Sequence, residues 1–254
     1  MKRMPHPVWP IEWVFEFDEI IDYLKKIILE KSEGDDSDIF IGDFGAGRNE
    51  EIPLFFSNIF PSKLRDSEVQ FNPNFTVYCT DLHTLRIEDL FSKLIEEEIL
   101  ETSRVVHAGL ERMTESATFT SDQKEFIEGI ENPTWIDEYI LRKSAFPASC
   151  LDIGIMNNDM IGYLAEYYQE YSNLQKAIEG VREVMDRQRL LIVTQPCSLY
   201  KVDNIEILER NGFSFIMGAD IDKRSGKVMF VNRETPLKML GELNHYTFLT
   251  FITA

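Results

Sequence analysis

The stretch Ile41-Gly42-Asp43-Phe44-Gly45-Ala46-Gly47-Arg48-Asn49 decides how this 254-residue chain is read. The apolar run Ile39-Phe40-Ile41 leads into it, and Glu50 to Phe60, with apolar residues at helical spacing, leads out. Strand, glycine turn and helix in that order make one unit of an open α/β sheet. Gly45 and Gly47 let the backbone turn tightly in that corner, and a ligand can approach there without meeting a Cβ.

The unit recurs outward from this corner. Phe75 to Thr80 is rich in β-branched and aromatic residues, stops at Asp81, and is followed by helical spacing from Ile87 to Leu100. Ser103 to His107 predicts a short third strand and Cys150 to Ile155 a fourth, with a long helix from Met160 to Met185 behind it. Leu190 to Val193 predicts the fifth strand, and Val202 to Arg210 a short helix closed by Asn211-Gly212. Phe213 to Met217 and Lys227 to Val231 flank a turn at Asp222 to Gly226 and read as an antiparallel pair. A helix from Pro236 to Leu243 then leads to the strand-like run Tyr246 to Ile252. Either that run or Lys227 to Val231 can lie inside the main sheet. The expected fold is α/β and doubly wound: a mostly parallel seven-stranded sheet, helices on both faces, and an antiparallel strand near the C-terminal edge.

One domain spanning 1–254 is expected, decorated at two places. Residues 1–37 read as an arm and a helix: Pro5, Pro7 and Pro10 hold an extended path in which Trp9 and Trp13 need burial, and Phe17, Ile20, Ile21, Leu24, Ile27 and Ile28 form one helix face between Phe15 and Glu30. Residues 114–149 read as a helical insertion, Ser121 to Ile130 and Thr134 to Lys143, the second with Asn132 placed to cap and Pro133 in its first turn. Both regions are candidates for shaping substrate choice, through the arm and through Trp135 and Tyr139, or are plain packing. Pro61 to Pro73 reads as an extra surface loop.

Composition narrows the function. Lys plus Arg number 26 against 44 Asp plus Glu, a net charge of −18, which works against docking on a polyphosphate unless the basic residues cluster. No apolar stretch approaches the roughly 20 residues of a membrane span, and Lys2-Arg3 is followed by Pro5-His6-Pro7 rather than a signal-peptide core. A cytoplasmic location without membrane association is expected. Cys79, Cys150 and Cys197 form no CxxC pair and read as reduced, buried thiols; no metal site is expected.

Ligands of open parallel sheets bind beyond the carboxyl ends of the strands. Asp43 stands before the glycine turn and Asp81 ends the second strand, where a carboxylate can accept both hydroxyls of a ribose. Together they describe a nucleoside pocket.

The segment from Ile41 to Asn49 resembles the first motif of class I S-adenosylmethionine-dependent methyltransferases. Leu151 to Asn158 resembles that family's fourth-strand segment, and Leu190 to Val193 with Glu209-Arg210-Asn211-Gly212-Phe213 its fifth strand and the helix ending in a GF turn, so the likeness spans roughly 38–217. The resemblance implies S-adenosylmethionine as cofactor, with Asp43, Gly45, Ala46 and Gly47 at the methionine portion, Asp81 at the ribose, and Leu110 and Glu111 in the adenine loop. The chain departs from the pattern at Gly109, where the family often has an acid. Asn157, Asn158 and Asp159 would face the methyl group, the asparagines orienting an acceptor and Asp159 taking its proton; the same residues can equally be a cap for the helix at Met160. His107, Gln195 and Pro196 are further candidates near the acceptor.

A dinucleotide site is the rival reading. Its fingerprint places a third small residue at position 50, where Glu50 would obstruct helix packing and set a negative charge beside a pyrophosphate. The activity implied is methyl transfer to an unidentified small molecule or protein. An RNA methyltransferase, or an inactive S-adenosylmethionine-binding interaction subunit, are the alternatives.

Overall fold

A computed structural model describes residues 10–33, 38–65, 73–113, 149–167, 171–195, 202–235 and 244–254. Eight strands form one sheet: β1 (Asp38–Phe44), β2 (Asn74–Asp81), β3 (Ser103–His107), β4 (Leu151–Met156), β5 (Met185–Gln195), β6 (Phe213–Asp222), β7 (Val228–Val231) and β8 (His245–Thr253). Their order is β3-β2-β1-β4-β5-β8-β6-β7. β1 to β5 pair in parallel, while β8 is antiparallel to both β5 and β6, and β7 is antiparallel to β6. The sheet therefore has one strand more than the seven expected. The choice left open by the sequence is settled, since the run from His245 lies inside the sheet and Val228–Val231 is its edge.

Helices cover both faces, as expected. On one face lie a 3-10 turn at Pro10–Glu16, α1 (Asp18–Glu33), α2 (Glu51–Leu54), α3 (Phe60–Arg65) and α4 (Thr84–Glu96). On the other lie α5 (Met160–Gly162), α6 (Tyr171–Val184) and α7 (Asn204–Arg210). α1 buries Ile20, Leu24, Ile27 and Ile28 and leaves Ile21 half-buried, which is the predicted face. Asp203 caps α7, its carboxylate accepting from Glu206 N–H at 3.0 Å.

Several boundaries moved, each for a physical reason. β1 runs through Gly42, Asp43 and Phe44 instead of breaking at Gly42, because those residues are paired on both sides, Gly42 with Tyr78 and Gly154. A Cβ on Gly42 would come within 2.7 Å of Leu151 Cδ1, so the glycine answers to strand packing rather than to a turn. The helix predicted from Glu50 contains a π turn at Phe55–Ile59, just before Pro61, which has no N–H to continue the α ladder. It then extends to Arg65, so the first part of the loop expected at Pro61 to Pro73 is helical. Residues 10–13 form a 3-10 turn rather than an extended arm; proline is preorganised for a helical first position. Trp13 is 4% exposed and its ring lies 5.6 Å from that of Tyr246. The helix expected from Met160 to Met185 has a π turn at Tyr163–Tyr167, and Met185 already belongs to β5, opposite Leu151. The arm to residue 9, the insertion at 114–148 with Trp135 and Tyr139, Pro196, Cys197 and the helix at 236–243 lie outside the described residues.

Candidate functional site

The glycine corner sits at the carboxyl end of the sheet. Gly45 and Gly47 have φ of +73° and +63°, in the left-handed region that glycine enters without strain. The corner is stitched to β2: Ala46 N–H donates to Thr80 O at 2.8 Å, and Gly47 N–H to Asp81 Oδ2 at 3.0 Å. Asp81 Oδ1 accepts from His83 N–H at 2.7 Å, and Arg86 Nη1 lies 3.7 Å from Oδ2. A carboxylate offers roughly four lone-pair sites, so each oxygen keeps acceptor capacity toward a ligand.

A cleft of about 730 Å³, counting its open mouth, begins at Gly45 and Asp81 and continues along Leu82, His83 and Arg86 after β2 and along Ala108 to Glu111 after β3. Met160, Tyr163 and Leu164 close its far wall. The two glycines differ in what they face. A Cβ on Gly45 would fall 1.9 Å from Met160 Cε, whereas one on Gly47 would meet nothing nearer than Asp81 Oδ2 at 4.0 Å. The space beside Gly45 is thus taken by a methionine of the chain itself, and that beside Gly47 is open. Leu110 is buried against the adjoining helix, where a Cβ on Gly180 would strike Leu110 O at 2.1 Å. The Glu111 carboxylate folds back to within 2.7 Å of where Gly109 would carry a Cβ.

Behind the corner lies a group of buried acids. Asp43 is 1% exposed, and neither carboxylate oxygen has a hydrogen-bond partner. Burial raises its pKa well above the carboxylate range, and the charges of Glu51 and Asp81 raise it further. Glu51 is also buried and also raised, chiefly by desolvation, but it is partnered: it accepts from Ile11 N–H at 2.8 Å and from Asn49 Nδ2. Cys79, on the same face of β2, is held as a thiol by burial and by Asp43, and the half-buried Cys150 is pushed up to about 11. Among the described residues no cluster of His, Cys, Asp or Glu is disposed to hold a metal ion.

Asp81, Gly45, Leu110 and Glu111 are brought together around the cleft. Asp43 stands behind it, and Ala46 and Gly47 on the corner itself. Asn157, Asn158 and Asp159 are not among the cleft's walls. Asn157 is buried, and its Oδ1 accepts from the Thr194 hydroxyl and from Asn158 N–H. Asp159 is 4% exposed, accepts from Gln195 Nε2 at 3.2 Å, and donates its N–H to Thr194 O at 2.8 Å. Asn158 and Asp159 both take left-handed backbone, and Asp159 makes no side-chain cap on α5. These residues clamp the loop after β4 to β5, with Asn158 alone exposed. His107 Nε2 lies 2.8 Å from Leu82 O, on the side of β3 facing Asp81. Glu50 pairs with Lys93 at 2.7 Å, so its charge is turned toward α4 and compensated there. Sequence reading missed Met160, Tyr163, Leu164, His83 and Arg86. The last two follow β2 directly and were accessible by the rule that placed Asp81; the others needed the crossing of α5 over the corner.

No protein-family profile matches the chain, and no curated protein matches it. Solved structures resemble it at low identity. A 4+2 cyclase, SpnF, has 11% identity and a TM-score of 0.47, with 91% of this chain and 81% of that one covered. A TehB-like SAM-dependent methyltransferase from Corynebacterium glutamicum has 12% identity and a TM-score of 0.44 (85% and 80% covered), and a SAM-dependent methyltransferase from Aquifex aeolicus 12% and 0.44 (85% and 82%). Parallel pairing of β1 to β5 and antiparallel strands toward the C-terminal edge agree with the sheet expected from the sequence, while the place of β8 between β5 and β6 is given by the structure. The fold is a doubly wound, mostly parallel α/β sheet with antiparallel strands toward its C-terminal edge. Substrate and activity do not follow from it, since a fold hosts many chemistries.

Proposed function

We propose that the chain is an S-adenosylmethionine-dependent methyltransferase whose acceptor is a small molecule or a protein. The observation that supports this best is the Asp43 carboxylate, buried without a partner behind a glycine corner that also carries Asp81. An isolated buried carboxylate is costly, and a cation bound in front of it offsets the cost. The residues fit an adenosyl sulfonium: a cationic methionine end against Asp43 and the open space at Gly47, ribose hydroxyls on Asp81, and the base against Leu110. When bound, that group supplies an electrophilic methyl. The chain's own part is alignment: the left-handed corner leaves open space beside Gly47 for close approach, Asp81 fixes the sugar, and the Thr194 clamp holds the loop after β4 in one conformation.

Calorimetry with S-adenosylmethionine and with NAD tests the reading. Saturating S-adenosylmethionine or S-adenosylhomocysteine is expected to stabilise the fold, by about 2.7 kcal/mol at a hundredfold excess over Kd, and Asp81→Ala to lose most of that. Binding of NAD with no response to either sulfur ligand overturns it.

A further inference from the structure

Strand order fixes what a ligand in the cleft meets. β3, β2, β1 and β4 are successive neighbours, so their carboxyl ends lie side by side at intervals of about 5 Å. The cleft follows that order: Ala108 to Glu111 continue from β3, Asp81 to Arg86 from β2, and Gly45 from β1, where Met160 arrives from the loop after β4. A nucleoside with its sugar on Asp81 and its base toward Leu110 covers the ends of β2 and β3. Whatever its 5′ carbon carries then lies on the other side of the sugar, at Gly45 and Gly47.

The end of β1 is occupied by the chain itself. Met160 Cε lies 1.9 Å and Sδ 3.1 Å from where Gly45 would carry a Cβ, so the thioether rests on the bare backbone of the corner. The same side chain is half-buried and forms part of the cleft wall, and methionine is unbranched with three rotatable bonds, so its tip can leave Gly45 while the backbone stays in place. What aims it there is the chain immediately before it. Asn158 and Asp159 have φ of +60° and +58°, a conformation that residues with a Cβ seldom hold. Thr194 keeps them in it: its Oγ1 accepts from Asn158 N–H at 3.1 Å and its carbonyl from Asp159 N–H at 2.8 Å. After Met160 the single turn of α5 gives way to the π turn at Tyr163–Tyr167, a type of irregularity that concentrates at functional sites. The wall over Gly45 is thus a flexible side chain on a clamped and irregular stretch of backbone.

We propose that Met160 determines which adenosyl ligand the cleft accepts. With its thioether on Gly45 the cleft takes a nucleoside that lacks an amino-acid tail, and S-adenosylmethionine enters only when the Met160 side chain is turned out. This rests on the methyltransferase reading above. The affinity for a ligand that needs the turned-out form is reduced by the fraction of molecules holding that form, whereas a ligand ending at its 5′ hydroxyl incurs no such reduction.

Calorimetry on the full chain with adenosine and with S-adenosylhomocysteine tests the proposal. Met160→Ala is expected to bind S-adenosylhomocysteine about tenfold or more tightly than the wild type and adenosine within about twofold of it. Met160→Leu keeps the volume on a stiffer stem, and is expected to bind adenosine as the wild type does and S-adenosylhomocysteine no more tightly. Carbon–proton spectra of methyl-labelled methionine, with the Met160 signal assigned by its absence from Met160→Ala, are expected to show a contact between Met160 Cε and Gly45 Hα in the free chain and with adenosine bound, and its loss with S-adenosylhomocysteine bound. Weaker binding of S-adenosylhomocysteine by Met160→Ala, a ratio of the two affinities within about threefold of the wild type, or a Met160–Gly45 contact that persists in the S-adenosylhomocysteine complex overturns the proposal. Binding of neither ligand by the wild type or by Met160→Ala sinks the reading beneath it instead.

Discussion

Two aspartates of the sheet are buried to the same depth and treated in opposite ways. Asp43, at the carboxyl end of β1, is 1% exposed and has no partner; Asp152, near the amino end of β4, is 2% exposed and is surrounded by partners. Lys31 Nζ lies 3.3 Å from Asp152 Oδ2, Arg189 Nε 3.2 Å from Oδ1, and Phe40 N–H donates to it at 3.0 Å. Arg189 also reaches Glu30 on α1 at 2.7 Å, tying that helix to the sheet. Burial raises the pKa of both acids, but only Asp152 has nearby cations pulling it back down. The amino end is a finished ion cluster, whereas the carboxyl end keeps one buried acid without a hydrogen-bond partner.

The comparison is most exposed to Arg189→Met. Removing one partner of a buried pair strands the other, so a loss of about 3–5 kcal/mol is expected in urea denaturation, with affinity for S-adenosylhomocysteine unchanged. A loss below 1 kcal/mol breaks the claim that this cluster is structural. Asp43→Asn is expected to act with the opposite sign. A carboxyl whose pKa is raised on folding gives stability below the ordinary carboxylate range that is lost as pH rises through the raised value. The ligand-free variant is therefore expected to gain about 1 kcal/mol or more at pH 8, to gain less at pH 5, and to bind S-adenosylmethionine at least tenfold more weakly. Denaturation at the two pH values with calorimetry checks this, and a variant less stable at pH 8 contradicts it.

Two smaller tests sharpen the picture of the corner. Gly47→Ala costs about 1 kcal/mol from its positive φ alone and is expected to abolish cofactor binding, because its Cβ enters open space. Gly45→Ala adds a collision with Met160, so its thermal midpoint is expected to be lower, with Met160→Ala in the double variant recovering part of the difference. The least effect is expected at Lys93→Met. Its 2.7 Å pair with Glu50 is exposed, 42% at the lysine, so denaturation is expected to show a loss of about 0.2–1 kcal/mol.

Where signals were local, sequence reading served well. Ser103 to His107 was bounded as observed, and the glycine corner and Asp81 landed at one strand end because a turn's residues and its chemistry are contiguous. Boundaries failed where pairing overrides local preference. Asp186 to Arg189 are polar, yet belong to β5, since Arg189 N–H donates to Thr253 Oγ1 and the ladder continues beyond them. Gly218 to Asp222 extend β6 for the same reason, being paired to β7 and β8. Asn157 to Asp159 were read from chain neighbours alone, but the residues that govern them, Thr194 and Gln195, are 36 or 37 positions away.

The place of β8 between β5 and β6 has a consequence for biogenesis. β6 ends at Asp222 and β8 ends at Thr253, 253 − 222 = 31 residues later, so a growing chain exposes both strand edges that β8 will join for roughly 2–6 s at ribosomal speed. In that interval the β6–β7 hairpin has no route into the sheet, and the unpaired margin of β5 is open to adventitious strand pairing. Slower decoding through 223–253 lengthens that vulnerable window, so the yield of folded protein is tied to the pace of translation over a segment remote from the glycine corner.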